Sequence, residues 1–264
     1  SNGRKDVFRV GLRNGSFVEA TADHVVKAVD ERRMTPSWVR VDQLRLGMRM
    51  HLHPHRAKVT DRVGALVGTG SFDDEPFGET DTQAVSEAAL AGWLQADGFV
   101  GQYEGTNRSL TIEFMVVNDE EHAWVSEHLD VVFPDVHRHE REVATQDSSL
   151  SCRRIRLYGE ELRDFVEDWQ LLLRGTDIRV PERLWTASHA EITAYLRSIF
   201  QSDGYVTVQS DEKSESGRIA FAVIGEQWTE DVQLLLNTIG IYSRRIRKSE
   251  PRDDRHDLHE VQIN

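Results

Sequence analysis

The chain has 264 residues, 39% of them hydrophobic and 29% charged, with a formal net charge of −13. These proportions describe a soluble globular protein and exclude a disordered one, and no apolar run approaches the ~20 residues a membrane helix needs. The polar start Ser1-Asn2-Gly3-Arg4-Lys5-Asp6 is not a signal peptide, and the single Cys152 excludes an internal disulfide and suits a reducing, cytoplasmic setting.

Residues 4–59 read as short β-strands and turns. Val7–Leu12 alternates, Arg13-Asn14-Gly15-Ser16 is a hairpin signal, and Phe17–Ala20 is the returning strand. Thr21–Val26, Trp38–Val41 and Leu44–Met50 follow. His51, His53 and His55 alternate along one strand face, but with no cysteine nearby they read as solvated side chains rather than a zinc site. His256 and His259 are weaker still as ligands. Residues 60–83 are rich in Gly, Asp and Glu without periodicity and read as a linker, ending in a capping box, Thr80-x-x-Gln83.

From there the pattern repeats. A helix through residue 97 precedes strands at 99–103 and 110–117, a helix at 119–133, strands at 137–144 and 151–158, and a helix at 159–173. A second helix, capped by Ser188-x-x-Glu191 and running to residue 203, precedes strands at 205–208 and 218–224. A helix at 227–239 and strands at 242–248 and 256–263 complete it. The order is αββαββα, with the last helix missing from the second copy. Trp124, Val125 and Leu129, like Val232, Leu235 and Leu236, lie at helical spacing and belong to the core.

The two helices that open the copies end alike, in Leu90-Ala91-Gly92-Trp93-Leu94-Gln95-Ala96-Asp97-Gly98 and Leu196-Arg197-Ser198-Ile199-Phe200-Gln201-Ser202-Asp203-Gly204. Gly92 and Ala96, like Ser198 and Ser202, are four apart and share a helical face, so two backbones can approach closely there. Packed on each other, the helices bring Asp97 and Asp203 side by side, and two carboxylates forced together share a proton or bind a divalent cation.

Both segments resemble the LAGLIDADG motif of homing endonucleases, the second more loosely because Arg197 and Ser198 stand in place of its Ala-Gly. The resemblance implies an α+β fold of tandem αββαββα repeats related by a pseudo-twofold axis and forming a DNA-binding saddle, the chain acting as a monomer. The first repeat would span 84–186 and the truncated second 187–264. Asp97 and Asp203, with the backbone carbonyls of Ala96 and Ser202, would hold Mg²⁺ or Mn²⁺ for double-strand cleavage. Double-stranded DNA would be read by alternate strand residues, for which Arg138, Arg153, Arg244 and Lys248 are candidates, with Gln102, Tyr103, Thr207 and Gln209 on the first strands. The charge distribution leaves room for this: residues 1–59 hold 12 basic against 6 acidic side chains, and the acidic remainder gathers its arginines on predicted strands.

Residues 1–59 resemble part of the Hint splicing domain of inteins, through Thr21-x-x-His24 followed by Trp38 and Leu44-x-x-Gly47. The resemblance implies that Thr21 and His24 polarise a scissile peptide. The parent would then be an intein carrying its endonuclease, and this chain alone would not splice. One departure bears on activity. The family's lysine two residues before Val/Ile-Pro is here Ile178, in Ile178-Arg179-Val180-Pro181, and an arginine stays protonated where a lysine can lend a neutral base. A DNA-binding protein of the same fold that no longer cleaves, akin to bacterial sporulation regulators, is the main alternative. A splicing-domain protein whose second half only scaffolds is a third.

Overall fold

The computed structural model describes residues 4–29, 34–50, 81–102, 110–144, 151–210, 215–249 and 256–263. The expected linker up to residue 80, His51, His53, His55, Tyr103 and Thr80 lie outside them. In chain order come β1 (Val7–Gly11), β2 (Phe17–Thr21), β3 (Val25–Val29), β4 (Pro36–Arg40) and β5 (Arg49–Met50). Next are α1 (Thr82–Asp97), β6 (Gly98–Gln102), β7 (Leu110–Val116), α2 (Asp119–Val132), β8 (His139–Ala144), β9 (Ser151–Gly159) and the short α3 (Arg163–Asp168). The chain closes with α4 (His189–Ser202), β10 (Gly204–Ser210), β11 (Glu215–Val223), α5 (Glu226–Thr238), β12 (Arg244–Lys248) and β13 (Leu258–Ile263).

Helices and sheets alternate over most of the chain, an α+β arrangement. The strands form four antiparallel sheets: β1-β2, β4-β3-β5, and two four-stranded sheets ordered β6-β7-β9-β8 and β10-β11-β13-β12. The last two run through their strands in the same permutation. Each lies directly after a helix, α1 or α4, that ends in Asp-Gly.

The core lies between those helices and one face of each four-stranded sheet. Trp93, Trp169, Trp228, Tyr195, Phe114 and Phe221 are among its largest fully buried side chains. Helix α1 is buried almost continuously from Ala88 to Leu94, and at Gly92 it touches α4. A Cβ on Gly92 would run into the Tyr195 carbonyl and come within 3.2 Å of Ser198 Cβ. Glycine costs a helix interior about 1 kcal/mol against alanine, and only the close crossing explains it here. The glycines after Asp97 and Asp203 are extended rather than left-handed. They are needed because each strand folds back over its helix's last turn, where a Cβ on Gly204 would strike the Phe200 carbonyl.

Several expected boundaries move. The cap of α1 is Asp81, whose carboxylate accepts from Gln83 N at 3.0 Å and Ala84 N at 3.2 Å, so the helix starts one residue after the expected box. At α4 the expected capping box is present, Glu191 N donating to Ser188 Oγ and Ser188 N to Glu191. The helix expected over 159–173 is only Arg163–Asp168, because Gln170 at φ 52° turns the chain so that Trp169 and Leu171 both reach the core. The stretch expected from Leu44 to Met50 is a turn until Arg49, and a turn at Ala22-Asp23 separates β2 from β3.

The strands before residue 50 bury little. Among the described residues before residue 50 only Ala28 of β3 and Val41, in the turn after β4, are buried hydrophobic side chains, while Trp38 is 71% exposed. What fixes the β1-β2 hairpin to the body is polar. Arg245 N donates to Asn14 O (2.8 Å), Gln233 Nε2 to Asn14 O (2.9 Å), and Arg245 Nη2 to Gly15 O (2.7 Å).

Candidate metal centre and nucleic-acid interface

Asp97 is the last residue of α1 and Asp203 the cap of α4, and both side chains stand where two helix C-termini leave carbonyl groups without helical partners. Burial raises the Asp203 carboxyl to about 6, and the Asp97 charge pushes in the same direction. Burial also raises Asp97, helped by the charge of Glu121, although one side of Asp97 stays open to solvent.

Glu121, which lies outside both motifs, is buried beside this pair. Its carboxylate accepts from Val117 N (2.8 Å) and Asn118 Nδ2 (3.0 Å), and Gln201 of α4 approaches it at 3.4 Å. The signal that could have found it is local: Asn118-x-x-Glu121 is a capping pattern, so its acid is spent on a helix start. Among the described residues no group of three or more His, Cys, Asp or Glu side chains could hold a metal ion. Any ion at the helix ends would rest on the two aspartates and on backbone oxygen from Ala96 and Ser202.

Polar contacts brace the crossing from both sides. Trp124 Nε1 donates to Ser198 Oγ at 3.1 Å, and the Arg197 guanidinium lies 3.9 Å above the Trp124 ring. Trp228 Nε1 donates to Tyr195 Oη at 3.2 Å, that hydroxyl donates to Gln95 Oε1, and Gln95 Nε2 donates to the Arg179 carbonyl at 2.9 Å. The Arg179 guanidinium curls back onto the carbonyls of Thr176 (3.2 Å) and Ile178 (2.8 Å). A cleft of about 640 Å³ between the hairpin, Arg179 and the first turn of α5 is lined by neither aspartate.

The outer faces of the two four-stranded sheets, turned away from the helices, differ in how well alternation located their basic residues. In the second sheet the register sets Arg244, Lys248 and Thr207 together on the outer face, and Gln209 follows at the same parity along β10. In the first sheet the chosen residues fall elsewhere. Gln102 pairs with Leu110 and shares its core-side face. Arg153 shares the face of Ile155 and lies 3.6 Å from Asp119. Arg138 precedes β8 and bonds Asp130 of α2 at 2.7 Å. The outer face instead carries Arg154, Arg156, Tyr158, His139 and Arg141, which with Glu140 line a hollow of about 230 Å³.

At the N-terminal strands, Thr21 ends β2 and His24 is exposed in the next turn. The Asp23 carboxyl is held well below the usual range, first by Lys5 at 2.9 Å and then by the Thr21 hydroxyl. The His24 carbonyl accepts from Val41 N at 2.8 Å.

Comparison with known proteins gives three results. Residues 190–264 match the family model described as a LAGLIDADG-like domain. Two curated relatives match most of the chain: a replicative DNA helicase DnaB of Rhodothermus marinus, 27% identical over 92% of this chain, and a DNA gyrase subunit of Mycobacterium kansasii, 23% identical over 92%. The chain spans only 23% and 40% of the length of those two proteins. Among solved structures, I-DmoI in complex with DNA and Mn is similar at a TM-score of 0.45 and 16% identity, over 70% of this chain and 91% of that one. The homing endonuclease I-WcaI bound to its DNA recognition sequence is similar at 0.44 and 13%, over 73% and 84%. No helix among the described residues is long and apolar enough to cross a membrane.

Proposed function

We propose that this chain is a site-specific DNA endonuclease carried by an intein, cutting both strands by metal-assisted phosphodiester hydrolysis. The observation that carries the reading is that Asp97 and Asp203 close two helices that cross at Gly92. The match of residues 190–264 to the LAGLIDADG-like model supports it. The two curated relatives add a second argument. The chain matches both a helicase and a gyrase while spanning under half of each, which is what a module carried by different proteins would give. In this reading residues 1–59 are part of the splicing domain with Thr21 and His24, the stretch from 60 to the cap of α1 a linker, and the rest up to 186 and 187–264 the two repeats of a monomer.

The donor set fits a hard dication. Two carboxylates and two helix-terminal carbonyls are all oxygen, and the negative ends of both helices add to the field. Asp97 and Asp203 would hold Mg²⁺ or Mn²⁺, which when bound makes water a nucleophile and stabilises a leaving oxygen. The chain's own part is to hold two negative side chains half out of water and to orient the duplex on the sheet faces. Incubation with a plasmid carrying the uninterrupted host site should give Mg²⁺-dependent linearisation. Asp97→Asn should abolish cutting, by at least about 10³-fold, while duplex binding stays within about twofold.

A second reading, DNA binding without cleavage, draws on two observations. Among the described residues no third acidic or histidine ligand joins the pair, and Arg179, beside the Ile178 that stands in the lysine position, is tied to neighbouring carbonyls. Duplex binding with no cutting at any Mg²⁺ or Mn²⁺ concentration decides for it. Ile178→Lys should raise the nicking rate if the lysine alone is missing.

A further inference from the structure

A surface that binds a polyanion by attraction alone has no use for buried acids, yet each outer sheet face has one. Glu113 of β7 is 7% exposed and Glu260 of β13 is 2% exposed, both on the side turned away from the hydrophobic core. Burying a carboxylate is costly unless it is paired and hydrogen-bonded. Here both are. Glu113 Oε1 lies 2.8 Å from Arg154 Nε, while its Oε2 accepts from Arg156, whose Nη1 donates to Tyr158 Oη at 3.0 Å. Glu260 pairs with Lys248 and accepts from Gln262 Nε2 at 2.6 Å.

We infer that Glu113 and Glu260 are positioning residues that fix the basic side chains of the two outer faces in set directions, favouring discrimination between DNA sequences over general attraction to phosphate. The inference rests on the DNA-binding reading above. The geometry is suited to it. A guanidinium has five N–H donors in a rigid fork, and Arg156 commits its Nε and Nη2 edge to Glu113 and its Nη1 to Tyr158, so its plane cannot swing. Bidentate readout of a base edge needs such a fixed plane, whereas a phosphate contact needs only a nearby cation. Two arginines sharing one buried acid present one net positive charge instead of two. The two sheets differ in layout: the acid stands on the second strand of the first sheet and on the last strand in sequence, β13, of the second.

The test measures binding of the full chain to a mixed-sequence duplex across a salt series, together with selection from a randomised duplex pool. Glu113→Gln keeps shape and hydrogen-bonding capacity but releases a cation, so the slope of log affinity against log salt should steepen by about one. The sequence preference that the wild-type chain selects should weaken by about tenfold, the scale of one good base contact. Glu142→Gln removes the same charge from β8, where among the described residues no arginine forms an ion pair with it, and it should leave both readings unchanged. An equal effect of Glu142→Gln, or an unchanged slope in Glu113→Gln, overturns the inference while leaving DNA binding intact. A wild-type chain that binds no duplex overturns the parent reading instead. Should Glu113→Gln not fold, Glu260→Gln carries the same prediction through Lys248. Failure of both to fold would show that the acids serve the fold, and the inference falls.

Discussion

The two four-stranded sheets share one strand order but are wired differently, and so are the helices that precede them. Helix α1 brings a bare Gly92 to the crossing; α4 brings Ser198, whose hydroxyl is engaged by Trp124. Asp97 keeps contact with solvent, whereas Asp203 is half-buried and carries the larger displacement of its carboxyl. Arg244 has no ion-pair partner among the described residues, while Arg153, Arg154 and Arg156 each have one. Equal topology therefore coexists with unequal chemistry. A ligand lying across both sheets would meet two different surfaces.

The largest break in this comparison should come at the crossing. Gly92→Val drives a side chain into the Tyr195 carbonyl and should cost about 3 kcal/mol or more of unfolding free energy, read from denaturant melts. On the sheets, Arg244→Gln should weaken duplex binding by about 1–2 kcal/mol and make the salt slope shallower by about one, whereas Arg153→Gln should change neither. Equal losses at the two positions would mean that both faces of the first sheet meet DNA.

The aspartates give a test with a sign. The Asp203 carboxyl sits near 6 when folded and near its ordinary value of 3.8 when unfolded, so between those values the folded state binds more protons. Stability then falls as pH rises from about 4 to 6 and stays low above. Asp203→Asn should stabilise the metal-free chain by about 1–2 kcal/mol at pH 7.5, a figure reduced for the group's partial exposure, with the gain gone near pH 4. Asp97→Asn should stabilise less. A pH-independent gain would assign the effect to something other than the carboxylate pair. The smallest effect expected is that of Ser198→Ala, about 1 kcal/mol, from leaving the Trp124 indole N–H without its acceptor.

The sequence is most informative where one element decides the outcome. The small residues at positions 92, 96, 198 and 202 and the Asp-Gly ends announce a helix crossing with acids at its rim, because that geometry needs nothing beyond helical spacing. Ser188 and Glu191 likewise cap α4 from within four residues. The outer face of the first sheet resists such reading for a converse reason. Arg153, Arg154 and Arg156 give no clean alternation, and which of them points outward is set by the pairing of β9 with β7 and β8, a one-residue question that only partner strands answer. Glu113 is hidden in the same way: within Leu110–Val116 every other residue is hydrophobic and core-facing, and nothing local says that its acid meets two arginines from β9. The broken helix after Gly159 shows tertiary demand overriding periodicity, since Trp169 and Leu171 both claim the core.

The line of hydrogen bonds from Trp228 through Tyr195 and Gln95 to the backbone at Arg179 fastens the segment between the two sheets to helices α1, α4 and α5. Arg174 reinforces this by donating to the carbonyls of Leu171 (2.9 Å) and Val100. A connector sewn down at both ends cannot serve as the loose hinge that lets two molecules exchange halves. Splitting the chain within that connector should therefore yield fragments that reassociate poorly, whereas new termini are better tolerated at an exposed loop tip.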